Sequence, residues 1–308
     1  MIQVEDISKS FGKIDALKNV SFNIKEGEIF GLLGPNGAGK TTSINILSTI
    51  LKPDSGKVFI HGLDLAHNQD ACKLLIGVVP QEISLYEILS AYENLHFWGS
   101  LYHIPPTELA AKINNVLELV GLYDRRNDAI KTYSGGMKRR INMASAILHN
   151  PKILLMDEPT VGIDPQSRNR IFEIIQELNQ NGMTIIYTTH YMEEAERLCN
   201  TIAIIDNGHV IAKGSLDELK KISGTKDILK MKTSVLDEKN LLKLNESIHL
   251  NFSHNSTELN FECKNITAEI SGLINNVLIA GVEIHGIETQ NASLESVFLK
   301  LTGKHLRD

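Results

Sequence analysis

Residues Gly34-Pro35-Asn36-Gly37-Ala38-Gly39-Lys40-Thr41 fit the spacing GxxxxGK[ST], a set of residue types suited to binding a nucleoside triphosphate. Glycines let successive backbone N–H groups turn inward as a nest for an anion, at the positive end of a following helix. Lys40 would reach the β and γ phosphates, and the Thr41 hydroxyl would ligate Mg²⁺. Context separates this stretch from an ordinary glycine-rich turn, because the apolar run Ile29–Leu33 precedes it and a helix-like segment, Thr41–Leu51, follows.

A second candidate is the apolar run Ile153-Leu154-Leu155-Met156, which ends in Asp157-Glu158. Taken alone, it is an ordinary strand-to-turn junction. Beside a phosphate loop, two adjacent acids at the end of a buried strand have a chemical use, since burying them unpartnered is costly and a metal and a water resolve that cost. Asp157 is placed to hold Mg²⁺ through its hydration shell, and Glu158 to orient or deprotonate the water that attacks the γ phosphate.

These residues need elements to position them. The chain has 308 residues, long enough for about two domains with their own cores. Apolar residues at 42% and charged residues at 22% exclude wholesale disorder and collagen-like repeats. With 31 Lys+Arg against 37 Asp+Glu, the net charge is -6 and no basic block tracks a phosphate backbone, so nucleic acid is not an expected partner. Cys72, Cys199 and Cys263 stand far apart without CxxC spacing, which suits buried thiols better than disulfides or zinc. The start, MIQVEDISKSFGK, has acidic residues where a secretory signal needs basic ones, and no apolar run is long enough to span a membrane.

Short strands alternate with helical patterns over the first two thirds of the chain. Leu17–Ile24, Ile29–Leu33, Val58–His61, Ile76–Val79, Ile153–Met156, Met183–Thr188 and Thr201–Asp206 read as strands, which implies an α/β layer with a largely parallel sheet. Asn207-Gly208 before His209–Lys213 signals a hairpin and thus some antiparallel pairing. Between about Glu87 and Asn150 the strand pattern gives way to a helical insertion. Its helix starts are expected at Ser90 with Glu93 as a capping box, at Thr107 after Pro105-Pro106, and at Ser134. All eight prolines lie at or before Pro165 and 17 of 22 glycines before Ser215. That shift suggests an α/β domain over 1–214 and a small α+β domain over 215–308, opened by Ser215 with Glu218 and containing Leu259–Cys263, Thr267–Ala280, Val282–Ile287 and Leu294–Leu301 as elements.

The set Gln81, Tyr133-Ser134-Gly135-Gly136-Met137, Leu155-Met156-Asp157-Glu158-Pro159-Thr160, Gly162-Ile163-Asp164 and His190 resembles, in order and spacing over 1–214, the nucleotide-binding domain of ATP-binding-cassette (ABC) transporters. The resemblance implies a phosphate-loop NTPase cassette with a helical insertion, here followed by the small α+β piece. It implies ATP and Mg²⁺, with contacts from Phe11, Asn36, Gly37, Ala38, Gly39, Lys40, Thr41, Thr42 and Gln81, and metal contacts from Thr41, Gln81 and Asp157. Phe11 would stack on adenine, Gln81 would sense Mg²⁺ and the permease, and His190 would join Lys40 and Glu158 in catalysis by contacting the γ phosphate. Ser134, Gly135 and Gly136 would hold the γ phosphate bound by an opposite subunit, and Asp164 would cross the dimer interface. The implied partners are a separate transmembrane permease and a second cassette, identical or different, which places the chain in the cytoplasm on the inner face of the membrane.

Tyr133 and Met137 depart from the commoner LSGGQ signature, and Met137 removes a polar contact at the dimer interface. The variant YSGGMKRR, together with the ending Leu294-Glu295-Ser296-Val297-Phe298-Leu299-Lys300-Leu301-Thr302-Gly303, resembles ATP-binding subunits of ABC-2-type exporters, among them drug-resistance and antibiotic-immunity systems. An uptake system, a soluble ABC ATPase and a non-hydrolysing sensor stand as alternatives. Sequons at Asn245, Asn251, Asn255, Asn265 and Asn291 follow from an Asn- and Ser-rich composition. Lys138-Arg139-Arg140 reads as a solvated face or local ion pairs, and Trp98 with Leu95 and Leu101 as core of the helical insertion.

Overall fold

The computed structural model describes residues 1–248, 250–263 and 266–303; the Asn265 sequon lies outside the described residues. Contacts divide the chain after Leu216 into two compact units.

The first unit is built on two sheets. Strands β1 (Ile2–Phe11), β2 (Ile14–Ile24), β4 (Ser55–Ile60) and β5 (Leu63–Asp64) form an antiparallel sheet in the order β2-β1-β4-β5. Strands β3 (Ile29–Leu33), β6 (Ile76–Val79), β7 (Ile153–Asp157), β8 (Thr184–Thr189), β9 (Thr201–Asp206) and β10 (His209–Gly214) form a second sheet, β10-β9-β3-β8-β7-β6. All its pairings are parallel except β9 with β10, the hairpin turned by Asn207-Gly208. The two sheets differ in sequence pattern for a physical reason. Every residue of β3, β7 and β8 is buried, as expected of parallel strands covered on both faces, whereas the second half of β2 alternates buried and exposed, as in a sheet with one wet face.

The antiparallel sheet was legible only through β2 and β4. The strand β1 escapes the alternation signal because it is bulged: its register shifts between Val4 and Ile7, and Asp6 takes φ +48°.

The helices are α1 (Lys40–Leu47), α2 (Gln69–Leu75), α3 (Ala91–Leu101), α4 (Pro106–Leu119), α5 (Gly135–Ile147), α6 (Pro165–Gln180) and α7 (Met192–Leu198). The expected caps at Ser90 and Ser134 are present, Ser90 with Glu93 as a full capping box. The expected cap at Thr107 is corrected by two residues: the cap is Pro105 and α4 begins at Pro106, whose missing N–H and fixed φ suit a first helical position. One core cluster fills the space between α3, α4, α5, α6 and one face of the six-stranded sheet; another packs α1 between its opposite face and the antiparallel sheet. Leu95 belongs to the first cluster, but Leu101 is exposed and Trp98 only half-buried, so that expected core stripe narrows to Leu95. Cys72 and Cys263 are buried and all three cysteines are free.

The second unit adds α8 (Leu216–Ser223), β11 (Asp227–Thr233), α9 (Glu238–Ser247), β12 (Phe252–His254), β13 (Glu258–Cys263), α10 (Ile266–Ile279), β14 (Ile284–Gln290) and α11 (Leu294–Thr302). Its sheet order β12-β13-β11-β14 with antiparallel pairing is the split β-α-β arrangement of ferredoxin-like folds. Leu229, Met231, Leu259 and Phe261 on one sheet face pack with Leu244, Leu273 and Val277 into a separate core. No helix among the described residues is long and apolar enough to cross a membrane.

Candidate functional site

The chemistry-bearing residues converge where strands of the parallel sheet end. Beyond Leu33 the chain turns through residues 34–39 into α1. Gly39 makes that turn at φ +111°, and a Cβ there would lie 2.6 Å from the Ala16 carbonyl oxygen, so only glycine lets the loop pass. Lys40 is buried at the start of α1, and its Nζ donates to the carbonyls of Gly34 at 2.8 Å and Pro35 at 3.0 Å.

The same ammonium stands 3.0 Å from Oε1 of Glu158. Glu158 follows the last residue of β7 at φ +44°, a left-handed conformation that a non-glycine residue rarely takes. His190, one residue beyond β8, brings Nδ1 within 3.2 Å of that same Oε1, though not in hydrogen-bond geometry, and Nδ1 has no hydrogen-bond partner. Burial pushes the Glu158 carboxyl up, but the hydrogen bond and charge of Lys40, and after them the nearby His190 ring, outweigh it and hold the group below the ordinary carboxylate value. One carboxylate oxygen thus faces both the Lys40 ammonium and the His190 ring.

Phe11, Asn36, Gly37, Gly39, Lys40, Thr41, Thr42, Gln81, Glu158 and His190 all line one cleft of about 640 Å³, a size in the range of small-ligand sites. Ile14, Ala16 and Val161 complete its wall; being apolar, they gave no signal in the sequence. Ala38 is buried and directs its N–H to the Pro35 carbonyl at 3.2 Å, so it supports the loop from within. Asp157 is buried too, off the cleft wall, where its Oδ1 accepts from the Thr188 hydroxyl at 2.6 Å. That hydroxyl also accepts the Glu158 N–H at 3.0 Å, which fixes the two acids relative to each other.

Ser134, Gly135, Gly136 and Asp164 do not line this cleft; they meet one another instead. Ser134 caps α5 by accepting the Met137 N–H, and Asp164 caps α6 by accepting the Ser167 N–H. A Cβ on Gly136 would lie 2.1 Å from Ser167 Oγ, so this glycine lets the two helix starts pack together.

In the basic run following them, expected as a solvated face or local ion pairs, Arg139 departs from both. Arg139 is 4% exposed, and its guanidinium donates to the carbonyls of Pro80 at 2.6 Å and Gln81 at 2.5 Å, while burial lowers its pKa. Lys138 pairs with Glu87, and Asn142 accepts the Ser84 N–H. The helix α5 therefore holds the Gln81 loop, a link that no local pattern announces because its acceptors are backbone carbonyls far away in sequence.

A family model described as ABC transporter matches residues 17–161. The linearmycin resistance ATP-binding protein LnrL of Bacillus subtilis (strain 168) is 44% identical, with all of both chains covered. The daunorubicin resistance ATP-binding protein DrrA3 of Streptomyces coeruleorubidus is 33% identical over 99% of this chain and 97% of its own. Among solved structures, a dimeric ATP-binding cassette in a post-hydrolysis state, bound to ADP and Pi, superposes with a TM-score of 0.63 at 30% identity, covering 70% of this chain and 99% of that one. With its phosphate loop, Glu158 and His190 gathered on one cleft and relatives matched over its whole length, the chain belongs to the ABC transporter family as an ATP-binding, ATP-hydrolysing subunit.

Proposed function

We propose that this subunit powers an ABC-2-type exporter, working on the inner face of the membrane against a separate permease that moves a drug, antibiotic, lipid or ion. The observation that carries this reading is the extent of the likeness: relatives named for antibiotic resistance match over the whole chain, second unit included, and not over the cassette alone. Exposed Tyr86 and Phe97, whose rings meet edge to face with centroids 5.0 Å apart, present apolar surface near the Gln81 loop in sequence.

In this reading Phe11 stacks on adenine at the cleft rim, residues 36–42 hold the phosphates, Glu158 is the general base and His190 contacts the γ phosphate. The donors fit Mg²⁺, since Thr41 and Gln81 share the cleft and offer it hard oxygen ligands. This suits a hard cation that keeps most of its waters and leans on substrate phosphates. Thr41, Gln81 and, through water, Asp157 would hold it, and it would neutralise charge on the transferring phosphoryl group. Ser134-Gly135-Gly136 and Asp164, which form their own cluster away from the cleft, are free to complete the site of a second cassette.

Affinity purification of the tagged chain in mild detergent from its native host is expected to bring down an integral membrane subunit and to show ATP hydrolysis. A chain that co-purifies with ribosomes, or with a permease and a solute-binding protein, would overturn the exporter reading.

The division into a cassette over 1–214 and an appended unit over 215–308 also belongs to this proposal. A chain ending near Ser215 is expected to fold and bind Mg-ATP like the full chain, since every cleft residue precedes it and the second unit has its own core. Calorimetric titration checks this; a folded but non-binding fragment would move the boundary.

A further inference from the structure

One buried acid has no part in the steps above. Glu194, in α7, is 2% exposed, and its carboxylate accepts hydrogen bonds from three hydroxyls: Thr160 at 2.7 Å, Tyr187 at 2.8 Å and Thr189 at 2.9 Å. Arg168 Nε stands 3.6 Å away. Burial, and after it the charge of Glu194, hold the Tyr187 hydroxyl well above its ordinary pKa, so that it stays a donor. Stability gives no reason for such a group, because a well-packed apolar side chain of similar volume commonly stabilises as much or more. What three directed bonds supply is a fixed relation between the segments that carry the donors.

Those segments are the two that flank the reacting phosphate in the proposed site. Thr160 lies two residues after Glu158, and its carbonyl accepts the Ile163 N–H at 3.1 Å in the turn that leads to Asp164. Thr189 precedes His190; its hydroxyl donates to Glu194 and accepts the Tyr191 N–H at 2.9 Å, which pins the backbone on both sides of the histidine. Tyr187 and Thr160 also meet directly at 3.2 Å. Arg168 belongs to α6, the helix that Asp164 caps.

We propose that Glu194 is a positioning residue for ATP hydrolysis, holding the Glu158–Asp164 segment and the His190 turn in one fixed relation. The inference rests on the roles given above to Glu158 and His190. It assigns no contact with ATP to Glu194, so nucleotide affinity and turnover should respond differently to its removal.

The test uses the full chain with Glu194→Leu, Glu194→Gln and Thr160→Val, measuring Mg-ATP Kd, kcat and thermal midpoint for each. Misplacement of a reacting group by about 1 Å costs on the order of 10²-fold, so kcat of Glu194→Leu is expected to fall by about that factor. Its Kd for Mg-ATP should stay within about twofold, the signature of a loss confined to the transition state. Thr160→Val should lower kcat in the same direction, and the combination with Glu194→Leu should fall short of the product of the two effects, since they act through one bond. Normal kcat in folded Glu194→Leu, or kcat and affinity falling together in step with the thermal midpoint, overturns the proposal. If Glu194→Leu does not fold, Glu194→Gln and Thr160→Val decide it, and unchanged kcat in both overturns it. Normal turnover in Glu158→Gln would bring down the site reading and this inference together, whereas an inactive Glu158→Gln beside a normal Glu194→Leu removes this inference alone.

Discussion

Lys40→Ala is expected to abolish tight Mg-ATP binding. The Lys40 ammonium is buried, held by the Gly34 and Pro35 carbonyls, and faces Glu158 Oε1 at 3.0 Å. Without it, phosphate oxygens entering the cleft lose a charged donor and meet the Glu158 carboxylate with its main counter-charge gone. Truncating one member of a buried, hydrogen-bonded charge pair between binding partners typically costs about 2–5 kcal/mol, and at about 1.4 kcal/mol per decade that corresponds to roughly 10- to 10³-fold or more in Kd. A direct titration with Mg-ATP measures it. An unchanged Kd would remove the phosphate loop from the binding role.

Glu158→Gln should separate binding from chemistry. The amide keeps the shape of the side chain but cannot take a proton from water, and general-base action is worth about 10²–10⁴-fold, so turnover is expected to fall by at least that order. Affinity should survive, because Lys40 would no longer be shared with a carboxylate. In the wild type, Lys40 and after it His190 hold the Glu158 carboxyl below its ordinary pKa.

Unhydrolysed ATP should then hold two Glu158→Gln chains together, each Ser134-Gly135-Gly136 helix start facing the γ phosphate bound by the other. The solution mass with and without Mg-ATP reads this, with Ser134→Arg added to block closure by bulk at the exposed signature. Normal hydrolysis in Glu158→Gln would take Glu158 out of the catalytic role. A mutant that stays monomeric at saturating ATP would point to a different cassette as the natural partner.

The sequence by itself determined what depends on neighbours along the chain. The strands Ile29–Leu33, Ile76–Val79 and Thr201–Asp206 have the bounds their apolar runs announce, since strands buried on both faces read as unbroken hydrophobic stretches between turn residues. The caps at Ser90 and Ser134 and the hairpin at Asn207-Gly208 are likewise side-chain and backbone bonds a few residues long. Because ligand-facing loops follow directly from such strand ends, the phosphate loop, Asp157-Glu158 and His190 were legible with them.

Tertiary structure decided what depends on partners distant in sequence. The antiparallel sheet rests on β1, whose bulge at Asp6 breaks the alternation that would have revealed it. Arg139 reads as one more surface cation until the fold sets the Pro80 and Gln81 carbonyls before its guanidinium and covers it. Glu194 reads as one of several acids in an amphipathic helix until three hydroxyls from two other segments close around it. The sharing of one Glu158 oxygen by Lys40 and His190 is of the same kind. A side chain's type fixes what it can bind, but burial and the direction of its partners fix what it does bind, and both come from the packing of the sheet and helices as a whole.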